Sequence, residues 1–368
     1  MRLDQLLALR FPDVSRSRWK TLVEAGLFQV SGKTLKNSAK LKSQQTLDID
    51  VSAAGDMLRE KTIWEIRSYR GIKPEVVFEN EKYLVVNKPS GVPVHPGAGI
   101  DPEETLVAWL LETERLGKVD PAARVAWGES VLEDERPGIV HRLDRGTSGA
   151  LVIAKNPEVH RILAEQFEAR SAGRIYLAVV SGSLSKFIDD PKSIFRKHLR
   201  DGSAHMALQW NRKELIGRFV SSLSRDPNRR TIFRVDASGS GRRASTDFYQ
   251  LAQFEDFSLI ALKLGTGRTH QIRVHLSFFG IPIVGDSLYG GKALEGDTQE
   301  DPRFLLHARS LYLKDPIDQK ERSFDAEVPD YLRDFCLKKG LAPAELDSIL
   351  NKSWDHWNSI FQKVGVAD

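Results

Sequence analysis

Asp144 stands between Arg142 and Arg145 in the segment Gly138-Ile-Val-His-Arg-Leu-Asp-Arg-Gly-Thr-Ser-Gly149. A carboxylate with cations on both sides stays ionised at neutral pH, its pKa depressed, and so suits a nucleophile or base better than a proton donor. Gly146 and Gly149 permit a tight backbone path. A loop-fixing ion pair would use the same residues, and spacing alone leaves both readings open. The second polar segment is Gly265-Thr-Gly-Arg-Thr-His-Gln-Ile-Arg-Val-His275. Its Arg273 can give two parallel hydrogen bonds to a carboxylate or phosphate. After Gly267 the pattern predicts an extended piece, with Arg268, His270 and Ile272 on one side and Thr269, Gln271, Arg273 and His275 on the other. No Asp, Glu or Cys accompanies His270 and His275 at ligand spacing, so hydrogen-bonding or phosphate contacts are predicted there rather than a metal. The glycine-rich pieces lack the lysine and spacing of a phosphate-binding loop.

The elements that must position these residues follow from composition and pattern. A chain of 368 residues, 41% of them hydrophobic, can bury a sizeable core and is long enough for more than one domain. Its net charge is only +4, yet residues 1–45 alone hold nine basic and three acidic side chains. Within that stretch Leu3, Leu6 and Leu7 have helical spacing. A second helix capped by Ser15 would carry Trp19, Leu22 and Val23 on one face, with Arg16, Arg18 and Lys20 on the other. Short extended pieces follow at 28–30 and 47–51. Three cations on one short polar surface predict phosphate contacts. Residues 1–60 are therefore a basic module and 61–75 a linker. Residues 76–325 form the main body, where extended runs such as Tyr83–Val86, Ala150–Ile153, Tyr176–Val180, Ser258–Leu264 and Phe304–Leu306 predominate. A helix is predicted over 158–170, with Pro157 near its start. Without regular strand–helix alternation, a mixed or antiparallel sheet with peripheral helices is expected. Residues 186–214 read as an insertion and 326–368 as a helical tail whose Trp354 and Trp357 dock on the body. The single Cys336 rules out an intrachain disulfide. No apolar run reaches membrane-spanning length, and a reducing cytoplasm is the expected compartment.

The core His141-Arg-Leu-Asp-Arg-Gly-Thr-Ser-Gly149 resembles the active-site motif of the RluA family of pseudouridine synthases. The resemblance continues through Val86–Pro96, Arg174–Val179, Gly267–Gly290 (GRTHQIRVHLSFFGIPIVGDSLYG) and Leu306–Ala308. Residues 1–51 resemble a small RNA-binding domain named after a small-subunit ribosomal protein, through Leu3-Asp4, Ser15–Arg18 and Leu22–Gly26. The implied fold class is α+β: a mixed, largely antiparallel catalytic sheet with peripheral helices, plus a small N-terminal α/β RNA-binding domain.

By this resemblance Asp144 is the essential aspartate, Tyr176 the active-site tyrosine and Arg273 the partner of the aspartate. Ile272 lines the base pocket, and Arg142 fills the space left by the flipped nucleotide. Lys88, Arg268 and His270, with Arg16, Arg18 and Lys20, are expected to contact RNA, and His141 to fix its loop. Carboxylate attack on the sugar and carboxylate-assisted glycal formation both remain open. The implied partner of this monomeric enzyme is structured RNA, foremost large-subunit ribosomal RNA or its assembly precursor, with no cofactor and no membrane. A transfer-RNA enzyme and a non-catalytic assembly factor are the alternatives.

Overall fold

In the computed structural model the described residues are 3, 7, 19, 23, 28–30, 33–36, 48–49, 68–97, 99–116, 137–183, 207–211, 215–229, 231–294 and 303–365. The chain gathers into two compact units, residues 1–69, 95–103 and 107–137 in one and 70–94, 104–106 and 138–368 in the other. In the first, Leu3, Leu7, Trp19 and Val23 are helical and buried. Each pair is four residues apart, the spacing that stacks side chains on one helix face. Strands β1 (Phe28–Val30), β2 (Lys33–Thr34) and β3 (Asp48–Ile49) form an antiparallel sheet in the order β2-β1-β3. The Trp19 and Phe28 rings meet edge to face at 5.9 Å.

Among the described residues of the second unit, eleven strands make one sheet. They are β4 (Glu75–Glu79), β5 (Tyr83–Lys88), β6 (Ser148–Ala154), β7 (Gly173–Ser181), β8 (Ala207–Asn211), β9 (Ile216–Arg225), β10 (Phe233–Val235), β11 (Arg242–Phe254), β12 (Phe257–Leu264), β13 (Leu306–Lys314) and β14 (Glu321–Asp325). The order is β10-β9-β11-β12-β7-β13-β6-β5-β4, with β8 added at β9 and β14 at β13. All pairings are antiparallel except β13 with β6, which meet over His307–Ala308 and Ser148–Gly149. At that crossing Gly149 has φ +117°, and a Cβ there would lie 2.3 Å from the Ala308 carbonyl oxygen, so only glycine fits. Residues 207–211, at the end of the expected insertion, are the strand β8 paired with β9. Residues 184–206 and 212–214 lie outside the described ones.

Helices cover the sheet. The first, α1 (Pro157–Glu168), starts with proline in its first turn and Asn156 as cap, its side chain accepting from the Val159 amide at 2.9 Å. It buries Val159 and Leu163 against Tyr83, Val85, Ala150 and Val152. A second, α2 (Gln271–Phe278), lies where the sequence pattern predicts an extended piece. Every residue from Gln271 to Leu276 is buried, so the helix lacks the polar face from which a 3.6-residue period is read. At the C-terminus α3 (Asp330–Lys338), α4 (Pro343–Leu350) and α5 (Trp354–Gln362) pack on Ile175, Leu177, Val179, Leu259 and Ala261. Trp357 is fully buried there, and Trp354 stacks on Tyr312 with centroids 4.9 Å apart, so both tryptophans dock on the body as expected. Side chains alternate along a strand, so Arg174, Tyr176 and Ala178 of β7 face away from these helices. No helix among the described residues is long and apolar enough to cross a membrane.

Candidate active site

The turn that carries Asp144 precedes β6 and closes with the Thr147 amide on the Asp144 carbonyl at 3.0 Å. A second loop, 88–92, clamps it. The Gly91 amide donates to the Arg145 carbonyl (2.9 Å), Arg145 Nε donates to the Gly91 carbonyl (2.8 Å), and Ser90 Oγ donates to the Gly146 carbonyl (2.8 Å). Lys88 ties the clamp from below. Its Nζ reaches the carbonyls of Pro89 (2.8 Å), Val92 (2.8 Å) and Arg145 (3.2 Å), and the residue is 0% exposed. The expectation that Lys88 contacts phosphate is therefore corrected: an ammonium whose three N–H groups end on protein carbonyls inside the fold cannot reach an RNA backbone. Burial pulls its pKa down to about 7, with Asp144 favouring the charge and Arg145 opposing it.

Asp144 opens on a cleft of about 590 Å³, and Arg142, Tyr176, Arg268, His270, Ile272 and Arg273 line the same cleft. Seven of the residues singled out in the sequence thus meet in one place. Arg16, Arg18 and Lys20 lie outside the described residues. Asp144 Oδ2 accepts from Arg273 Nη1 at 3.1 Å, and its Oδ1 has His270 Nε2 4.0 Å away. Burial alone would push the Asp144 carboxyl up. His270, Arg273 and Arg142 outweigh burial and hold it below the ordinary carboxylate range. Arg145, the other flanking cation of the motif, is turned to the Gly91 carbonyl instead. Arg273 is itself 4% exposed, its guanidinium over the rings of Phe304 (4.3 Å) and Tyr289 (4.8 Å).

Tyr176, 4% exposed, comes from β7, paired with Leu262 of β12. Burial raises its phenol, Arg174 draws it down and Asp144 adds to the rise, leaving a protonated phenol at neutral pH. Arg174, two residues earlier on the same strand face, lies over the Tyr176 ring at 5.7 Å and donates to His141 Nδ1 at 2.8 Å. His141, whose own pKa is lowered by burial and then by Arg174, is held to β7 by this contact, and its Nε2 accepts from the Val152 amide at 3.2 Å. Ile272 is buried in the first turn of α2, while Arg142 and Arg268 are exposed. His270 caps α2 in the left-handed region at φ 55°, a strained setting for a non-glycine residue, and its Nδ1 meets the Tyr289 hydroxyl at 2.8 Å.

Sequence reasoning passed over Arg174, Asp286 and Tyr289. Arg174 was within reach, because residues two apart on a strand share a face. Asp286 and Tyr289 come from the turn after α2, and nothing in their spacing ties them to Arg273.

One ionised carboxylate held at a single oxygen, among arginines and in a cleft it shares with a buried tyrosine, is the centre of an enzyme site that works by a nucleophile or base. A family model described as RNA pseudouridylate synthase matches residues 82–278, which contain every lining residue named above. The "Ribosomal large subunit pseudouridine synthase D" of Zymomonas mobilis is 36% identical over 334 residues, covering 89% of this chain and 90% of that protein. Its namesake in Pseudomonas aeruginosa is 33% identical over 342 residues, with 89% of each covered, and that of Yersinia pestis 32% identical over 338, covering 89% and 88%. The chain belongs to the RNA pseudouridylate synthase family. It is an isomerase that turns uridine in RNA into pseudouridine.

Proposed function

We propose that the protein modifies specific uridines of large-subunit ribosomal RNA in the cytoplasm, with Asp144 as the group on which the chemistry turns. The observation that carries this reading is the one-point hold on Asp144: Arg273 engages Oδ2 alone, in a cleft where the carboxyl stays ionised. The N1–C1′ bond breaks, the uracil rotates, and a C5–C1′ bond forms while C5 loses a proton and N1 gains one. Either attack by Asp144 on C1′ or its help in forming a glycal uses the free Oδ1. Tyr176 offers the uracil a ring to stack on, Ile272 an apolar wall, and Arg142 a planar cation at the exposed rim. Flipping the nucleotide costs a few kcal/mol, and Arg142 stacking on its neighbours while touching phosphate offsets part of that. Arg268 and His270 supply further RNA contacts at the mouth. Ribosomal RNA is favoured over transfer RNA by the names of relatives that this chain matches along nearly all of their length. The basic segment 1–60, with Arg16, Arg18 and Lys20, acts as an RNA-binding domain in this reading.

Purified protein incubated with undermodified cellular RNA, followed by pseudouridine mapping, tests it. New pseudouridine should appear in large-subunit ribosomal RNA, and Asp144→Asn, at matched fold content, should make none. Sites confined to transfer RNA would overturn the substrate, and substantial turnover by Asp144→Asn would move the chemistry to another residue.

A further inference from the structure

Thr147 stands on the same turn as Asp144 and is 2% exposed, yet among the described residues its hydroxyl meets no hydrogen-bond partner. A buried hydroxyl left unpaired is uncommon, because its lost hydration goes uncompensated. Polar groups around it are provided for. Ser148 Oγ meets His307 Nδ1 at 2.9 Å and the Tyr331 hydroxyl at 3.3 Å. The Thr266 hydroxyl, also in the cleft, donates to Gln271 Oε1 and accepts from the Ser245 amide at 3.0 Å. Arg273 pairs through Nε and Nη2 with Asp286, at 2.7 and 2.9 Å, besides its bond to Asp144.

The backbone fixes where the Thr147 side chain stands. The Gly146 carbonyl before it accepts from Ser90 Oγ (2.8 Å) and from the Phe304 amide (3.1 Å), and the Thr147 amide donates to the Asp144 carbonyl (3.0 Å). Ser148 opens β6 and turns to Tyr331 of α3, which packs on the far side of the sheet from Tyr176. Successive side chains alternate, so Thr147 turns the opposite way, and it lines the cleft together with Asp144.

We propose that Thr147 is a specificity-determining residue whose hydroxyl takes the ribose 2′-hydroxyl of the target uridine. This rests on Asp144 being the carboxylate that works at C1′. The sugar suits the position better than the base. The uracil must turn to bring C5 to the place of N1, so a bond from a pinned wall to the base would break midway, whereas the ribose stays. The carbon that bears the 2′-hydroxyl is bonded to C1′, and Thr147 shares its turn with Asp144. A threonine hydroxyl both donates and accepts, as a 2′-hydroxyl does, while the cleft arginines only donate and Asp144 only accepts. With its backbone pinned, Thr147 presents the hydroxyl by a turn about Cα–Cβ, for which threonine has more than one staggered well. The 2′-hydroxyl separates RNA from DNA, so this pairing makes ribose a condition of efficient reaction.

The test uses a synthetic stem-loop holding one uridine that the protein converts, and the same stem-loop with 2′-deoxyuridine at that position. Single-turnover rates at saturating RNA are compared for full-chain wild type, Thr147→Val and Thr147→Ser. Thr147→Val removes the hydroxyl and keeps the shape. It should slow the ribose substrate about tenfold or more and leave the deoxy substrate within about twofold of the wild-type rate on it, since the partner is then already missing. Thr147→Ser keeps the hydroxyl and should keep the wild-type preference for ribose. Should the deoxy stem-loop not react, affinities read the same cycle with Asp144→Asn in every protein, and Thr147→Val should then weaken only the ribose complex. In the free protein Thr147→Val should have a urea midpoint at or above that of wild type, because no bond is lost. An equal loss on both stem-loops would assign the hydroxyl to the base and overturn the proposal. An unchanged ribose rate overturns it too, as does a lowered midpoint, which would mean a partner within the fold. Conversion of the ribose stem-loop by Asp144→Asn would instead remove Asp144 from C1′, the reading on which the proposal rests.

Discussion

Two buried cations, Lys88 and Arg273, stand near Asp144 and have opposite tasks. Arg273 touches the carboxylate and faces the cleft, whereas Lys88 holds three carbonyls of the loops that carry it. Arg273→Ala should leave most RNA affinity intact and severely slow the saturated single-turnover step; a pure affinity loss with normal saturated turnover would contradict its place beside Asp144. Some stability should go as well, because removing one partner of a buried ion pair costs roughly 3–5 kcal/mol. Lys88→Met should act mainly on stability. It strands three carbonyls whose desolvation costs about 1–3 kcal/mol each, so urea unfolding should show a loss of several kcal/mol even if some reach water. The slope of RNA affinity against salt should not change, as it would if Lys88 met phosphate. The depressed Asp144 pKa was legible in the sequence because two arginines flank it. That Arg145 turns away while Arg273 and His270 act, from some 130 residues further on, was not, since only the folded chain brings them together.

At the scale of elements, legibility followed periodicity. Strands β5, β6, β7 and β12 are half or fully buried runs of branched and aromatic residues, and each was read from such a run. The α1 helix was read from the sequence with Pro157 near its start, and the structure places that proline in its first turn. By contrast α2 is wedged between the sheet and the turn holding Asp286 and Tyr289, and its His275 is buried against Ser221 and Thr246 at 3.0 and 2.9 Å. A helix buried from Gln271 to Leu276 has no polar face to read, and all eight of its residues alternate polar and apolar types as a strand would. The tail helices were readable as helices, and their role follows from where they pack. Trp357 belongs to the cluster behind β7, on the face opposite Tyr176. Trp357→Ala should therefore lower unfolding free energy by about 3–5 kcal/mol. The folded fraction should keep the wild-type saturated rate, and a rate loss in fully folded protein would show that the tail reaches the cleft after all.

For the whole molecule the question is how a cleft sized for one nucleotide finds one uridine in a large RNA. On the proposed reading the cleft takes a single flipped base, and Arg142 and Arg268, exposed among its lining residues, add few contacts, so most affinity is expected from charge placed elsewhere. The sequence places it: the first 45 residues carry a net +6, more than the +4 of the entire chain. Deleting residues 1–60 should raise the RNA concentration needed for half-maximal rate and leave the saturated rate of the remaining protein unchanged. Each phosphate neutralised releases counterions, at about 0.7 per contact for single-stranded and 0.9 for double-helical nucleic acid. Loss of Arg16, Arg18 and Lys20 should then flatten the plot of log affinity against log salt by about 2 to 3. Affinity titrations of both proteins between low and physiological salt measure this directly. Parallel lines would mean that the N-terminal cations meet no phosphate. A flattened line with a lost saturated rate would mean that the segment helps to build the productive complex as well as to capture RNA. Only a flattened line with an intact rate fits an enzyme whose capture and chemistry are separate parts of the chain.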